Sequence, residues 1–229
     1  MSGIGPSQHL KEFNIPLVLD LPAVSQGIQD NPRAGLSVQS PIPMNLSSIQ
    51  VVGILKGSKN YIDSSCFVQP ANGSVQYSGN LFEKLGFPLS RGELRLRTKD
   101  PRDNPSVRFN YYSHPEDVQT AVDGVRVIAK ILKTPSLQNF TYPAANGSRQ
   151  FRFIGPPLPN NIDDDAAVTQ FVNQTLNTMW HFHGGSHVGS VVNRQYQVIG
   201  VDSLRIVDGS TFQDGPGTNP QATTLMLGR

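Results

Sequence analysis

Apolar and polar positions alternate along two stretches of this chain and form a helical stripe along a third. Glu93-Leu94-Arg95-Leu96-Arg97-Thr98 alternates as a half-buried strand does, and Ser106-Val107-Arg108-Phe109-Asn110-Tyr111 repeats the pattern. The stretch between them, Asp100-Pro101-Arg102-Asp103-Asn104-Pro105, is turn chemistry, so the two strands are expected to pair antiparallel. Ile49–Leu55 is a short apolar run of the kind a buried strand shows. Val118, Val122, Val125, Ile128, Ile131 and Leu132 fall on one face of a helix. Ser113 is placed to cap that helix, Glu116 follows three residues later, Pro115 opens it and Pro135 ends it, which predicts a helix from Pro115 to Lys133. A second helix is predicted from Asp163-Asp164-Asp165 to about Leu176, because carboxylates favour the positive end of the helix dipole. Tyr196–Gly200 and Leu204–Val207 read as strands. Residues 1–45, with Pro6, Pro16, Pro22, Pro32, Pro41 and Pro43, read as irregular chain, and Gly57–Phe87, rich in Ser, Gly and Asn, as a loop or lid.

Composition narrows the class. A chain of 229 residues forms one large domain or two interleaved ones. With 37% hydrophobic and 16% charged residues it is neither a disordered polyelectrolyte nor a coiled coil, and 21 Gly with 18 Pro point to a loop-rich α+β fold. The formal charge of +2 comes without any basic run, which argues against nucleic acid and acidic membrane surfaces as partners. No apolar stretch reaches the length of a transmembrane segment. The single cysteine, Cys66, excludes an internal disulfide framework and a multi-cysteine metal site. Asn-x-Ser/Thr sequons begin at Asn45, Asn72, Asn139, Asn146 and Asn173, more than chance supplies, which suggests a secreted glycoprotein. The opening Met1-Ser2-Gly3-Ile4-Gly5-Pro6 is no signal peptide; the two observations agree if the working protein begins upstream.

The densest chemistry lies in Trp180-His181-Phe182-His183-Gly184-Gly185-Ser186-His187, which holds three of the five histidines. An extended His-x-His puts two imidazoles on one face, so metal ligation is one use; burial as satisfied core histidines beside a tryptophan is another. The favoured use is a catalytic acid/base histidine, since imidazole alone titrates near neutral pH without perturbation. Ser2-Gly3-Ile4-Gly5-Pro6 is no dinucleotide loop, because Gln8 stands where a third glycine is needed and no strand precedes it. Asp208-Gly209-Ser210-Thr211-Phe212 and Gly217-Thr218-Asn219-Pro220-Gln221-Ala222 form the other polar cluster. There an Asp at a strand end and a helix starting after Pro220 could serve an anion or a polarised ring, or form two plain turns.

Leu89-Ser90-Arg91-Gly92, the Asp100–Tyr112 stretch, Trp180–Gly185, Arg205–Ser210 and Gly217–Ala222 occur in one order that resembles the C-terminal half of plant glucose–methanol–choline (GMC) flavin oxidoreductases, in the HOTHEAD and mandelonitrile-lyase-like subgroup. The resemblance covers nearly the whole chain. It implies FAD as cofactor, a small alcohol as substrate, His181 as the catalytic base and Asn219 as the second active-site residue. Trp180, Asp208, Gly209, Pro220 and Gln221 match positions that contact or shape the FAD site, and no metal is implied. By resemblance the fold is α+β, with an antiparallel-sheet substrate domain backed by helices at 46–178. Residues 1–45 and 179–229 are expected to complete an FAD-binding α/β domain whose cofactor-binding strand–loop–helix would precede residue 1. Those outer pieces should then expose apolar surface. Hydroxynitrile lyases of the family carry His where Asn219 stands, and an amide cannot titrate, which favours alcohol oxidation over cyanohydrin cleavage. A truncated, catalytically silent glycoprotein is the third reading.

Overall fold

Two of the prolines that break up the first 45 residues, Pro32 and Pro41, stand at strand ends. The computed structural model describes residues 2–57, 59–71, 74–217 and 219–229 and contains a nine-residue strand at Pro32–Ser40. Pro32 opens it and Pro41 follows it, places where a missing N–H interrupts no ladder. Ala34, Leu36 and Val38 alternate into the core. The expectation of irregular chain there is corrected by this strand.

In chain order the principal elements are β1 (Gln26–Ile28), β2 (Pro32–Ser40), β3 (Ser47–Ile54), β4 (Asn60–Ala71), β5 (Ser74–Leu85), β6 (Gly92–Arg95), β7 (Ser106–Arg108), α1 (Pro115–Leu132), β8 (Arg152–Ile154), α2 (Asp165–Thr175) and α3 (Gln221–Gly228). They divide between two compact units. The first comprises Met1–Asn31, Gly86–His114 and Met179–Arg229, and the second Pro32–Leu85 and Pro115–Thr178.

The second unit is an antiparallel sheet in the order β8-β2-β5-β4-β3, with Asn177–Thr178 also pairing with β2. The segment expected as a loop or lid is its longest hairpin: β4 and β5 run in continuous register from Asn60↔Leu85 to Ala71↔Ser74. Helix α1 forms where its apolar stripe predicts, and buries Val122, Val125, Ile128 and Leu132. Each such side chain removed from water contributes about 1.5–3 kcal/mol. Gly124 brings the helix close to the sheet, since a Cβ there would stand 2.7 Å from Glu83 Cβ and 2.8 Å from Asn60 Nδ2. Helix α2 begins where the three aspartates predict: Asp164 accepts the N–H groups of Ala166 and Ala167 at 3.0 and 3.2 Å. The same sheet carries charges that the hydrophobic pattern does not announce. Burial pushes the Asp63 carboxyl up and the Lys84 ammonium down, and the attraction between the two opposes both shifts.

In the first unit β1, β6 and β7 form a three-stranded antiparallel sheet, and the expected β6–β7 pair is present. A separate apolar cluster gathers Val191, Val192 and Val198 against Leu21, Val24 and Ile206. The strands expected at Tyr196–Gly200 and Leu204–Val207 are turns joined by a single bridge, Gln197↔Arg205. Tyr196 and Ser203, each at φ 60°, and Gly200 at φ 83° adopt left-handed backbone, which an extended strand cannot contain. The mixed helical and antiparallel-sheet class is the one expected.

Two glycines of the large sheet make a direct test of its packing. A Cβ on Gly35 would lie 2.2 Å from the Leu81 carbonyl oxygen, whereas one on Gly53 would meet nothing nearer than 3.7 Å. Gly35→Ala is expected to destabilise by about 2–3 kcal/mol through overpacking. Gly53→Ala is expected to change stability by less than about 0.5 kcal/mol. Urea unfolding midpoints of the two variants measure the difference.

Candidate active site

Three consecutive polar residues, Gln29, Asp30 and Asn31, are 1%, 2% and 1% exposed, although they follow the apolar end of β1. Buried polar groups need partners, and each of these side chains has found one on a different pass of the chain. Gln29 Nε2 donates to the Pro88 carbonyl at 2.6 Å, and Asn31 Nδ2 donates to the Gly86 carbonyl at 2.9 Å. Asp30 Oδ1 accepts the backbone N–H of His181 at 2.8 Å, and Asp30 Oδ2 accepts the Tyr111 hydroxyl. Gln29, Asp30 and Asn31 belong to none of the motifs above. The available signal was the polar triplet between Ile28 and Pro32, where a core strand should have continued apolar or turned.

The histidine run is held against this triplet. The Met179 N–H donates to the Asn31 carbonyl at 3.2 Å, and Gln29 and His183 exchange backbone hydrogen bonds at 2.9 and 3.0 Å. Between them Trp180 takes a left-handed conformation, φ 57°, which is costly for a residue with a bulky side chain. Its side chain is 63% exposed, and Phe182 on the other side of His181 is about half exposed. His181 itself is 8% exposed. His183 turns inward: its Nδ1–H donates to the His181 carbonyl at 2.8 Å, an arrangement that fixes Nδ1 as the protonated nitrogen of the neutral ring.

His183 Nε2 and His187 Nε2 are both buried without a hydrogen-bond partner among the described residues. Glycines make room for the two rings. A Cβ on Gly27 would stand 2.7 Å from His187 Cε1, and one on Gly215 would stand 3.0 Å from His183 Cε1. Burial pushes both imidazoles below their ordinary value. For His183 the hydrogen bond to His181 and the Asp30 carboxylate oppose that shift, while for His187 the Arg91 guanidinium adds to it. Arg91 is itself paired with Asp214 at 2.9 Å. Among the described residues no three His, Cys, Asp or Glu side chains gather as metal ligands.

The Asp208 loop joins the histidine run edge to edge. Gly184 and Ser186 donate their N–H groups to the carbonyls of Gly209 and Ser210 at 3.1 and 2.8 Å. Asp208 is exposed, and its Oδ1 accepts the Ser210 N–H at 2.8 Å. A Cβ on Gly209 would lie 3.6 Å from the Phe182 carbonyl and 3.9 Å from Thr224 Oγ1 in the first turn of α3. Gly209 therefore lies beside both the His181 run and the helix that follows Asn219. Pro220 stands at the N-cap of α3, where no side chain caps the helix, and Asn219 and Gln221 are exposed beside it.

Solved oxidases share this fold. Formate oxidase of Aspergillus oryzae superposes with a TM-score of 0.82 at 16% identity, over 99% of this chain and 49% of that one. Pyridoxine 4-oxidase of "Mesorbium loti" gives 0.80 at 19% identity, over 98% of this chain and 46% of the other. The chain belongs to the GMC oxidoreductase family, whose C-terminal model matches residues 88–228. Over its whole length it is 45% identical to an Arabidopsis thaliana "(R)-mandelonitrile lyase-like" protein and 38% identical to a sinalpyl alcohol oxidase of Nesocodon mauritianus. It spans 44% and 43% of those two proteins, less than half the length of either.

The depressed imidazoles carry a pH signature. Between the folded-state values of His183 and His187 and the ordinary value of about 6.5, the unfolded chain binds more protons than the folded one. Their contribution to stability is therefore complete above about pH 6.5 and is lost as pH falls through the folded-state values. Thermal midpoints measured from pH 7.5 to 5 are expected to fall, and His183→Gln is expected to show a shallower slope over that window. Equal slopes would remove His183 from the account.

Proposed function

We propose that this chain is the catalytic-base portion of an FAD-dependent oxidoreductase acting on the CH–OH group of alcohols. The observation that carries the reading is the place of Gly209, which accepts a hydrogen bond from the histidine run and lies beside the helix after Asn219. In the proposed reaction His181 accepts the proton of the substrate hydroxyl, and Asn219 hydrogen-bonds the same oxygen. The six-stranded unit, Pro32–Leu85 with Pro115–Thr178, serves the substrate. FAD belongs to the Aspergillus oryzae formate oxidase that shares this fold, and the surface around His181 fits a flat aromatic ring system. Trp180 exposes its ring on one side of the histidine, Phe182 on the other is half exposed with one face stacked on Phe109, Asp208 and Gly209 form the adjoining turn, and no side chain caps α3 at Pro220, just ahead of Gln221. Bound there, FAD would supply the hydride acceptor.

Apolar residues of the first unit support the idea that further chain covers it in the working protein. Leu17, Val18, Trp180, Leu225 and Met226 are each more than half exposed. A secreted location has its own support. Asn45, Asn139, Asn146 and Asn173 are all exposed and all lie in the second unit, as glycan acceptors must be accessible. The fifth sequon, Asn72, lies outside the described residues.

The test joins this chain to the N-terminal half of the 45%-identical Arabidopsis relative and asks for bound flavin and alcohol-dependent bleaching. His181→Ala is expected to lower alcohol oxidation by about 10²–10⁴-fold while flavin loading stays intact. Normal flavin loading without bleaching across a broad alcohol panel would sink the reading. Cyanide release from mandelonitrile that rises with Asn219→His would favour a lyase instead.

A further inference from the structure

We propose that Asp30 is the positioning residue for His181: its buried carboxylate closes the strained turn at Trp180 and fixes the backbone from which the imidazole projects. The inference rests on the reading of His181 as the base.

A non-glycine residue in left-handed backbone costs on the order of 1–3 kcal/mol and persists only where its surroundings over-determine it. Trp180 is determined from both sides by one segment. Ahead of it the Met179 N–H reaches the Asn31 carbonyl; behind it the His181 N–H reaches Asp30 Oδ1. Two residues further on, Gln29 and His183 pair through main-chain atoms alone. Residues 179–183 thus run antiparallel to 29–31 as a short ladder. At the middle rung a side-chain carboxylate stands in for the main-chain carbonyl, and its extra reach takes up the turn at Trp180. An N–H bonded to a carboxylate is held about twice as strongly as one bonded to a neutral acceptor. The carbonyl of the same residue is held from the opposite side by His183 Nδ1–H. Both main-chain polar groups of His181 are then fixed, and only its side-chain torsions remain free.

The carboxylate is fixed in turn. Tyr111 donates its hydroxyl to Asp30 Oδ2. The Tyr111 ring stacks on Phe109 with centroids 5.4 Å apart, and Phe109 stacks on Phe182 at 5.0 Å. Phe182 is the residue next to His181. The path Asp30–Tyr111–Phe109–Phe182 therefore returns to the histidine it starts from, and the ring closes around one peptide unit.

In the flavin-loaded fusion, Asp30→Ala is expected to lower kcat for alcohol oxidation by about 10²-fold, the scale of a misplacement of about 1 Å, with KM and flavin content unchanged. Asp30→Asn keeps an acceptor oxygen for the His181 N–H and is expected to restore at least tenfold of that loss. Tyr111→Phe, which keeps the ring stack, is expected to lower kcat about five- to tenfold. Should Asp30→Ala fail to fold, the Asn and Tyr111→Phe variants carry the test. Hydrogen–deuterium exchange of the peptide spanning residues 179–183 gives a readout independent of turnover, and is expected to quicken in each Asp30 variant. A kcat within threefold of wild type in Asp30→Ala or in Tyr111→Phe, or exchange of that peptide unchanged in the Asp30 variants, overturns the proposal. If His181→Ala keeps full turnover, the base reading fails on its own, and the exchange arm still decides whether Asp30 holds the turn.

Discussion

A buried carboxylate between two passes of the chain governs the candidate site. Asp30 lies in the interior of the first unit, where an unsatisfied charge would cost several kcal/mol, and it is tolerated because it accepts from both the His181 backbone and the Tyr111 hydroxyl. Its neighbours Gln29 and Asn31 donate instead, to the carbonyls of Pro88 and Gly86. Three segments far apart in sequence are thereby joined through side chains rather than through a continuous sheet. The left-handed Trp180, the inward turn of His183 and the edge contact with Gly209 all follow from where that seam places the histidine run. A hydrophobic contact could hold the same segments together, but it would not fix a single peptide group in direction as a hydrogen-bonded carboxylate does.

Much of the fold was legible where local chemistry and tertiary packing agree. The stripe from Val118 to Leu132, bounded by Pro115 and Pro135, gave α1 almost to the residue, and Asp164 capped α2 as its type requires. The misreadings share a physical cause. Prolines at 32 and 41 look like strand breakers until the strand between them is seen to start and stop there. The β4–β5 hairpin is polar on both faces, with Ser64, Ser65, Asp63, Asn80 and Lys84 in its strands, so its period-2 signal is blurred. The Asn72-Gly73 dipeptide between its two strands is a strong hairpin signal that outweighs composition. Conversely, Tyr196–Gly200 has strand-like residues, but Tyr196, Gly200 and Ser203 are all left-handed, a tertiary choice that no propensity scale contains.

The candidate chemistry was legible in a different way. Clustering of His181, His183 and His187 marked the place, and the order of short motifs gave the family to which the chain belongs. Residue types alone do not divide labour among the three rings; only the family resemblance singles out His181. The structure separates them by environment: His183 is committed to the His181 carbonyl, His187 is packed against Gly27 and Gly184, and His181 sits between the exposed Trp180 and the half-exposed Phe182. Of the residues that hold His181 in place, Phe109, Tyr111 and Phe182 lie within those motifs but Asp30 does not, and a buried Asp is an ordinary residue until the fold closes the four into a ring.

The central claim is that His181 serves hydride removal from an alcohol rather than proton handling for a carbon–carbon cleavage. It is tested most directly by anaerobic stopped-flow mixing of the flavin-loaded fusion with benzyl alcohol and with its α,α-dideuterated form. The account predicts loss of the oxidised-flavin absorbance, slower with the deuterated alcohol because the C–H bond breaks in that step, and abolished in His181→Ala. Unchanged flavin absorbance with every alcohol, together with cyanide release from mandelonitrile at the same site, would contradict it.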